Sequence, residues 1–189
     1  IGMYFLEEQK NYTVGSGGLR VELDEPGYYT GSVLLAAGSS GGPTTALYVP
    51  QGSVVNSYFI HFDPEGRRTT AFALDASLTF DENEQILGIV TSLTTLKLSR
   101  PMVVLSSVTY STAGGSGLES SSDYVDWIVN PDGTTTLDLR LQAGTSGVDQ
   151  IRVITNAAAP VPEPASMFLL GSGLIGLAGF GRKKLFKKG

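Results

Sequence analysis

The stretch Ser53-Val-Val-Asn-Ser-Tyr-Phe-Ile-His-Phe62 alternates large side chains between two sides of an extended chain. Val54, Asn56, Tyr58, Ile60 and Phe62 fall on one face and Val55, Ser57, Phe59 and His61 on the other, the period of two that a β-strand imposes. One face is strongly apolar, so the segment reads as a long strand with that face buried. It is closed by Asp63-Pro64-Glu65-Gly66, where Pro pre-sets φ and Gly accepts positive φ, the chemistry of a turn. On its far side Ala71-Phe-Ala-Leu-Asp-Ala-Ser-Leu-Thr-Phe80 repeats the pattern, with Phe72, Leu74, Ala76, Leu78 and Phe80 inward and Asp75, Ser77 and Thr79 outward. The two runs flank one turn and are expected to pair.

Working outward, residues 124–129 (YVDWIV), the turn Asn130-Pro131-Asp132-Gly133 and residues 134–142 read as a hairpin with Leu137, Leu139 and Leu141 inward. Residues 148–155 supply a final strand. Earlier strand candidates are YFLEEQKNYTV near the start, residues 19–24, 31–37 and 45–50, separated by Gly-, Pro- and Ser-rich turns. Residues 93–101 are compatible with a strand or with a short helix cut off before Pro101. Residues 111–122 have loop composition. The expected fold is all-β, an antiparallel β-sandwich of jelly-roll type spanning residues 1–155.

Composition agrees. Charged residues make up 16% and hydrophobic residues 41% of 189, with 24 glycines, which suits short strands joined by turns and not a helical bundle. There is no cysteine, which excludes disulfides, thiolate metal sites and a cysteine nucleophile. Residues 1–181 hold 8 basic and 18 acidic side chains, a formal charge of -10, so the body has no basic stripe with which to neutralise nucleic-acid phosphates. No nucleic-acid partner is expected.

The body offers little catalytic chemistry. His61 is the sole histidine, and no GxSxG elbow accompanies it; a structural or surface role is expected. Asp81, Glu82, Asn83 and Glu84 lack the spacing of a calcium loop and read as a solvated turn. Tyr28, Tyr29 and Trp127 have the side chains that stack on sugars, although packing is the commoner use of such residues. The Gly-rich stretches at 15–18 and 114–117 lack the Lys and the strand-to-helix context of a phosphate loop. No catalytic residue, metal ligand or cofactor is expected, and paired carboxylates of glycosidase type cannot be picked out by spacing.

The end of the chain differs in kind. Residues 156–164 (NAAAPVPEP) form a stiff, extended linker, because Pro160, Pro162 and Pro164 each restrict φ. Ala165 to Phe180 are 16 residues without a charge, spanning about 24 Å as a helix. That is short of the ~30 Å hydrocarbon core, a gap that bilayer thinning and snorkelling lysines close. The run is apolar all round and not striped, which favours a transmembrane helix over residues 165–181 above a buried one. Arg182, Lys183, Lys184, Lys187 and Lys188 follow, marking residues 182–189 as a cytoplasmic tip and placing the body across the membrane. The first residues contain no basic, apolar leader, and the chain does not begin with Met, so either a leader has been removed or the chain has been cut.

Val161-Pro162-Glu163-Pro164, the Gly-rich apolar run and the terminal Arg/Lys cluster, in this order within 29 residues, resemble the PEP-CTERM sorting signal of bacterial exported proteins. The resemblance implies that an exosortase, a membrane-embedded cysteine transpeptidase, recognises Pro162, Glu163 and Pro164 and removes the apolar tail. It implies a body that is briefly anchored through residues 165–180 and then reaches the cell surface or extracellular matrix, often beside exopolysaccharide. Glu7-Glu8-Gln9, residues 56–66, 78–90 and 147–155 are similar to the bodies of a group of such exported proteins, a likeness that brings no activity with it. Three roles are open for the body: a noncatalytic surface or matrix protein, a carbohydrate-binding (lectin-like, calcium-dependent or not) or carbohydrate-active sandwich, and a subunit that self-assembles through an exposed edge strand.

Overall fold

The computed structural model describes residues 2–31, 47–63, 72–103, 117–118, 120–143 and 148–157. Ile1–Ala157 form one compact unit. Its strands are β1 (Gly2–Thr13), β2 (Leu19–Val21), β3 (Gly27–Thr30), β4 (Leu47–Val49), β5 (Val54–Asp63), β6 (Phe72–Phe80), β7 (Ile86–Val90), β8 (Tyr124–Val129), β9 (Thr135–Ala143) and β10 (Asp149–Asn156). A single helix among the described residues, α1, runs over Leu93–Val103.

All strand pairings among the described residues are antiparallel. One four-stranded sheet has the order β1-β5-β10-β7, a second has the order β3-β8-β9-β6, and β2 and β4 make a separate ribbon. Among the described residues the fold is therefore all-β with one short helix. The larger core lies between the two four-stranded sheets: Tyr58, Ile60 and Phe62 of β5 and Ile151 and Val153 of β10 meet Val125 and Trp127 of β8 and Leu137, Leu139 and Leu141 of β9.

A second core makes the Ile1–Ala157 unit three layers deep on one side. Val55 and Phe59 of β5, Val90 of β7 and Ile154 of β10 point away from the first core and are covered by Leu19 and Val21 of β2, Val49 of β4 and Leu96 of α1. This corrects the one-faced reading of β5. Residues 55–60 and 62 are all buried, and so are residues 149–155 of β10. Both are central strands covered on both faces, which is why Ser57 and Phe59 are as enclosed as Tyr58 and Ile60.

The expected pairing of β5 with β6 does not form. β5 takes β1 and β10 as neighbours, while β6 pairs with β9 from Phe72↔Ala143 to Phe80↔Thr135. The alternation of β6 itself holds: Leu74, Ala76 and Leu78 pack on the first core, and Asp75, Ser77 and Thr79 are exposed. A strand with one polar face suits a sheet whose outer side meets solvent, so β6 joins the second sheet, whereas β5 needs cover on both faces. Alternation specifies a face but not a partner.

The hairpin of β8 and β9 forms in the expected place. Asn130 donates its backbone N–H to the Thr134 carbonyl, Gly133 donates to the Asn130 carbonyl, and Gly133 has φ of 87°. Residues 93–101 are helical, and the helix continues through Pro101 to Val103 instead of stopping before it. Within the 111–122 stretch, Gly117 bridges to Ser92 and Leu118 is buried against the first core, so this part of an apparent loop packs. The strand expected at 31–37 apart from Gly31, most of the turn after Asp63, residues 158–164 of the linker and the expected span at 165–181 lie outside the described residues, while Asn156, expected to open the linker, ends β10 instead. Among the described residues no helix is long and apolar enough to cross a membrane.

Candidate functional site

The sequence-derived candidates separate clearly. Tyr29 packs on the first core and donates its hydroxyl to the Glu25 carbonyl at 2.9 Å. Trp127 is buried on the inner face of β8. Neither ring is available to a sugar. Tyr28, by contrast, is 61% exposed on the outer face of the second sheet.

His61 is also committed. Its ring stacks on Phe59 and Tyr4, and its Nδ1 lies 3.1 Å from the Gln150 side-chain amide, which donates to a neutral ring. Burial lowers its pKa against the smaller opposing effect of Asp63, which favours the neutral imidazole. Glu84, expected in a solvated turn, is not free of the fold: its Oε1 accepts from the hydroxyl of Tyr58, from Asn56 Nδ2 at 2.8 Å and from Thr155 Oγ1 at 3.0 Å, tying the β6–β7 turn to β5 and β10. Among the described residues no group of three His, Cys, Asp or Glu is placed to hold a metal ion.

The outer face of the second sheet gathers aromatic, acidic and hydroxyl side chains. Strand register aligns its outward side chains in rows that cross the strands. One row runs Tyr28 on β3, Asp126 on β8, Asp138 on β9 and Ser77 on β6. The next runs Thr30, Tyr124, Arg140 and Asp75. At a strand spacing of ~4.8 Å each row crosses about 14 Å. The two tyrosines meet diagonally with ring centroids 5.4 Å apart and planes tilted by 34°. Tyr28, Tyr124, Asp75, Ser77, Asp126 and Asp138 surround an open depression of about 550 Å³.

Charge in the two rows is unevenly matched. Arg140 Nη1 lies 3.4 Å from Asp75 Oδ2, and Tyr124 directs its hydroxyl at Asp75 Oδ1 over 3.4 Å. Partial burial and then the Asp75 carboxylate hold the Tyr124 phenol above its usual pKa, so it stays a neutral donor. Asp126 and Asp138, directly opposite one another and half-buried, have no ion-pair partner among the described residues. Like charges directly across a strand pair disfavour folding. Sequence reasoning did not assemble this set, because the polar alternation of residues 124–128 and 136–142 places Asp126 and Asp138 outward but does not say that they face each other.

Pro162, Glu163 and Pro164, and the cluster Arg182, Lys183, Lys184, Lys187 and Lys188, lie outside the described residues. A family model, the PEP-CTERM protein-sorting motif, matches residues 160–183 and so covers the Pro-Glu-Pro element, the apolar run and the first two basic residues. No curated protein and no solved structure matched the chain. The chain carries a PEP-CTERM sorting signal, and that signal marks it as an exported protein sorted to the cell surface by an exosortase.

Proposed function

We propose that this chain is a noncatalytic surface or extracellular-matrix protein whose sandwich is the delivered cargo and whose C-terminal segment is its delivery device. The observation that carries this reading is the matched motif at residues 160–183, which follows directly on the compact unit Ile1–Ala157. In this reading Pro162, Glu163 and Pro164 are substrate residues for the exosortase. Residues 165–180 hold them at the membrane, and the basic tip fixes the orientation with the body outside the cytoplasm. Cleavage near the Pro-Glu-Pro element frees the body or transfers it to a matrix component such as exopolysaccharide. The jelly-roll winding belongs to the same proposal. A noncatalytic body is supported by the committed state of the sole histidine, held by Gln150 and by two ring stacks.

The test is the intact mass of the exported product in a host with and without exosortase. Loss of the apolar tail only in the presence of the enzyme is the expected result. A tail retained in both hosts makes the protein a permanently anchored one and overturns the sorting reading. Replacing Pro162, Glu163 and Pro164 with Ala should reproduce the enzyme-free mass in the enzyme-bearing host.

A further inference from the structure

We infer that the outer face of the second sheet is a binding site for an amine-bearing glycan chain, with Tyr28 and Tyr124 as ring platforms and Asp126 and Asp138 as the seat of a protonated sugar amine. Three features converge on this class of ligand. The first is the unmatched pair: Asp126 and Asp138 sit in register on β8 and β9, half-buried, and the nearby cation Arg140 is engaged by Asp75 at 3.4 Å. A cation between the two carboxylates removes their repulsion and gains charge-assisted hydrogen bonds. The second is aromatic. Tyr28 stands 61% exposed at one end of the Asp126–Asp138 row, with Tyr124 diagonal to it at 5.4 Å. An aromatic face attracts both the C–H surface of a sugar ring and an ammonium group beside it.

The third feature is shape. The site is an open depression across a sheet face and not an enclosed cavity, and its row of side chains crosses four strands. An extended polymer lying across the strands meets Tyr28, Asp126, Asp138 and Ser77 in succession, whereas a small molecule has few walls to contact. The carboxylates and the Ser77 hydroxyl accept from sugar hydroxyls along the same line. A bare metal ion fits less well, since no three acidic groups among the described residues converge. A cationic peptide satisfies the charges but makes no use of two flat ring faces. This inference is independent of the sorting reading, because binding is measured on the purified protein whatever its route of export.

The experiment is calorimetric titration of the full chain, held in a detergent without sugar headgroups, with a β-1,4-linked glucosamine hexasaccharide, its fully N-acetylated counterpart and a hexalysine peptide. The expected result is binding of the glucosamine oligomer at least tenfold tighter than that of the acetylated one and of the peptide. The double variant Asp126→Asn/Asp138→Asn should abolish that tenfold preference. It should fold at least as well as the parent in a thermal melt, because it removes a repulsion, so lost binding would not reflect lost structure. Tyr28→Ala/Tyr124→Ala should weaken both sugars together. No binding of the glucosamine oligomer, equal binding of the two sugars, or indifference to both double variants overturns the proposal. Hexalysine binding as tight as the amino sugar, with the same dependence on Asp126 and Asp138, would overturn it in favour of a peptide site.

Discussion

Arg152 of β10 and Glu8 of β1 form a two-pronged ion pair in which neither side chain has accessible surface, with Nε 2.6 Å from Oε2 and Nη2 2.9 Å from Oε1. Neighbouring groups take up the third guanidinium nitrogen and a second place on Oε2. Arg152 Nη1 donates to the hydroxyl of Ser99 and, at 3.3 Å, to the Leu96 carbonyl, while Ser57 Oγ donates to Glu8 Oε2 at 2.7 Å. The guanidinium also lies 5.6 Å from the Phe59 ring centroid. Two charges can be kept in the interior because each nitrogen and oxygen of the pair has a hydrogen-bond partner, and the result fastens α1 to β1, β5 and β10.

Removing one partner therefore leaves an uncompensated buried charge. Glu8→Ala should lower unfolding free energy by about 3–5 kcal/mol in urea titration. Glu8→Leu/Arg152→Met, which removes both charges and keeps the volume, should regain most of that loss. A Glu8→Ala cost below about 1 kcal/mol would mean that water reaches Arg152 and that the pair is not the closed network described.

The start of α1 depends on a second buried acid. Ser92 is the cap: its carbonyl accepts from Leu96 N at 2.9 Å and its Oγ from Thr95 N at 3.2 Å. Glu22, 2% exposed, accepts from Thr91 N at 2.8 Å and from Ser92 Oγ at 2.8 Å. Its negative charge stands at the helix end that favours one. Ser92→Ala should cost about 1 kcal/mol, the usual value of a cap. Glu22→Ala should cost more, about 1–3 kcal/mol, because the Thr91 N–H is left buried without its acceptor. Denaturant midpoints in the reverse order would show that Glu22 acts only through Ser92.

How much of this was legible in the sequence differs from residue to residue. Leu137, Leu139 and Leu141 alternate with polar neighbours beside an Asn-Pro-Asp-Gly turn, so both their hairpin and their inward face could be read directly. Phe59 and Val55 were legible as strand residues but not as core, because the layer that covers them comes from residues 19–21, 47–49 and 93–103, remote in sequence. Pairing of β5 with β1 and β10 was not legible, since alternation marks faces and leaves partners open. The Asp126–Asp138 opposition is a register property of the same kind. The sorting signal was fully legible, because its parts act in linear order and need no tertiary structure to be recognised.

His61 should give the protein an acid-sensitive increment of stability. Its folded pKa lies below the ordinary value of 6.5 because burial opposes the charged ring. Between the folded pKa and 6.5 the unfolded chain binds more protons than the folded one, so stability falls as pH drops through that window and the contribution is fully present above it. His61→Gln removes the titration. The stability difference between parent and variant should be constant above about pH 7 and shrink as pH falls below about 6.5. A difference that is flat from about pH 8 to about pH 5 would show that the ring takes a proton as readily in the fold as in the unfolded chain.

The β2 ribbon fits closely onto β7 at Gly88, where an added Cβ would come within 2.7, 2.8 and 2.9 Å of the Val21 side chain. Val21 belongs to β2 and is 1% exposed in the second core, so it has no free space into which to retreat. Gly88→Ala should therefore push the ribbon away from β7 and cost about 1–3 kcal/mol, the range for overpacking. Gly15 supplies the contrast, since a Cβ there would meet no atom within 4 Å: Gly15→Ala should change stability by no more than about 0.5 kcal/mol. If steric conflict with Val21 is the cause, Val21→Ala in the Gly88→Ala background should cost less than the ~0.5–1.5 kcal/mol or more expected of a core truncation in the parent. The double-mutant cycle should then give a favourable coupling above about 0.5 kcal/mol. Additive single and double variants would show that Gly88 is needed for its backbone and not for the room it leaves Val21.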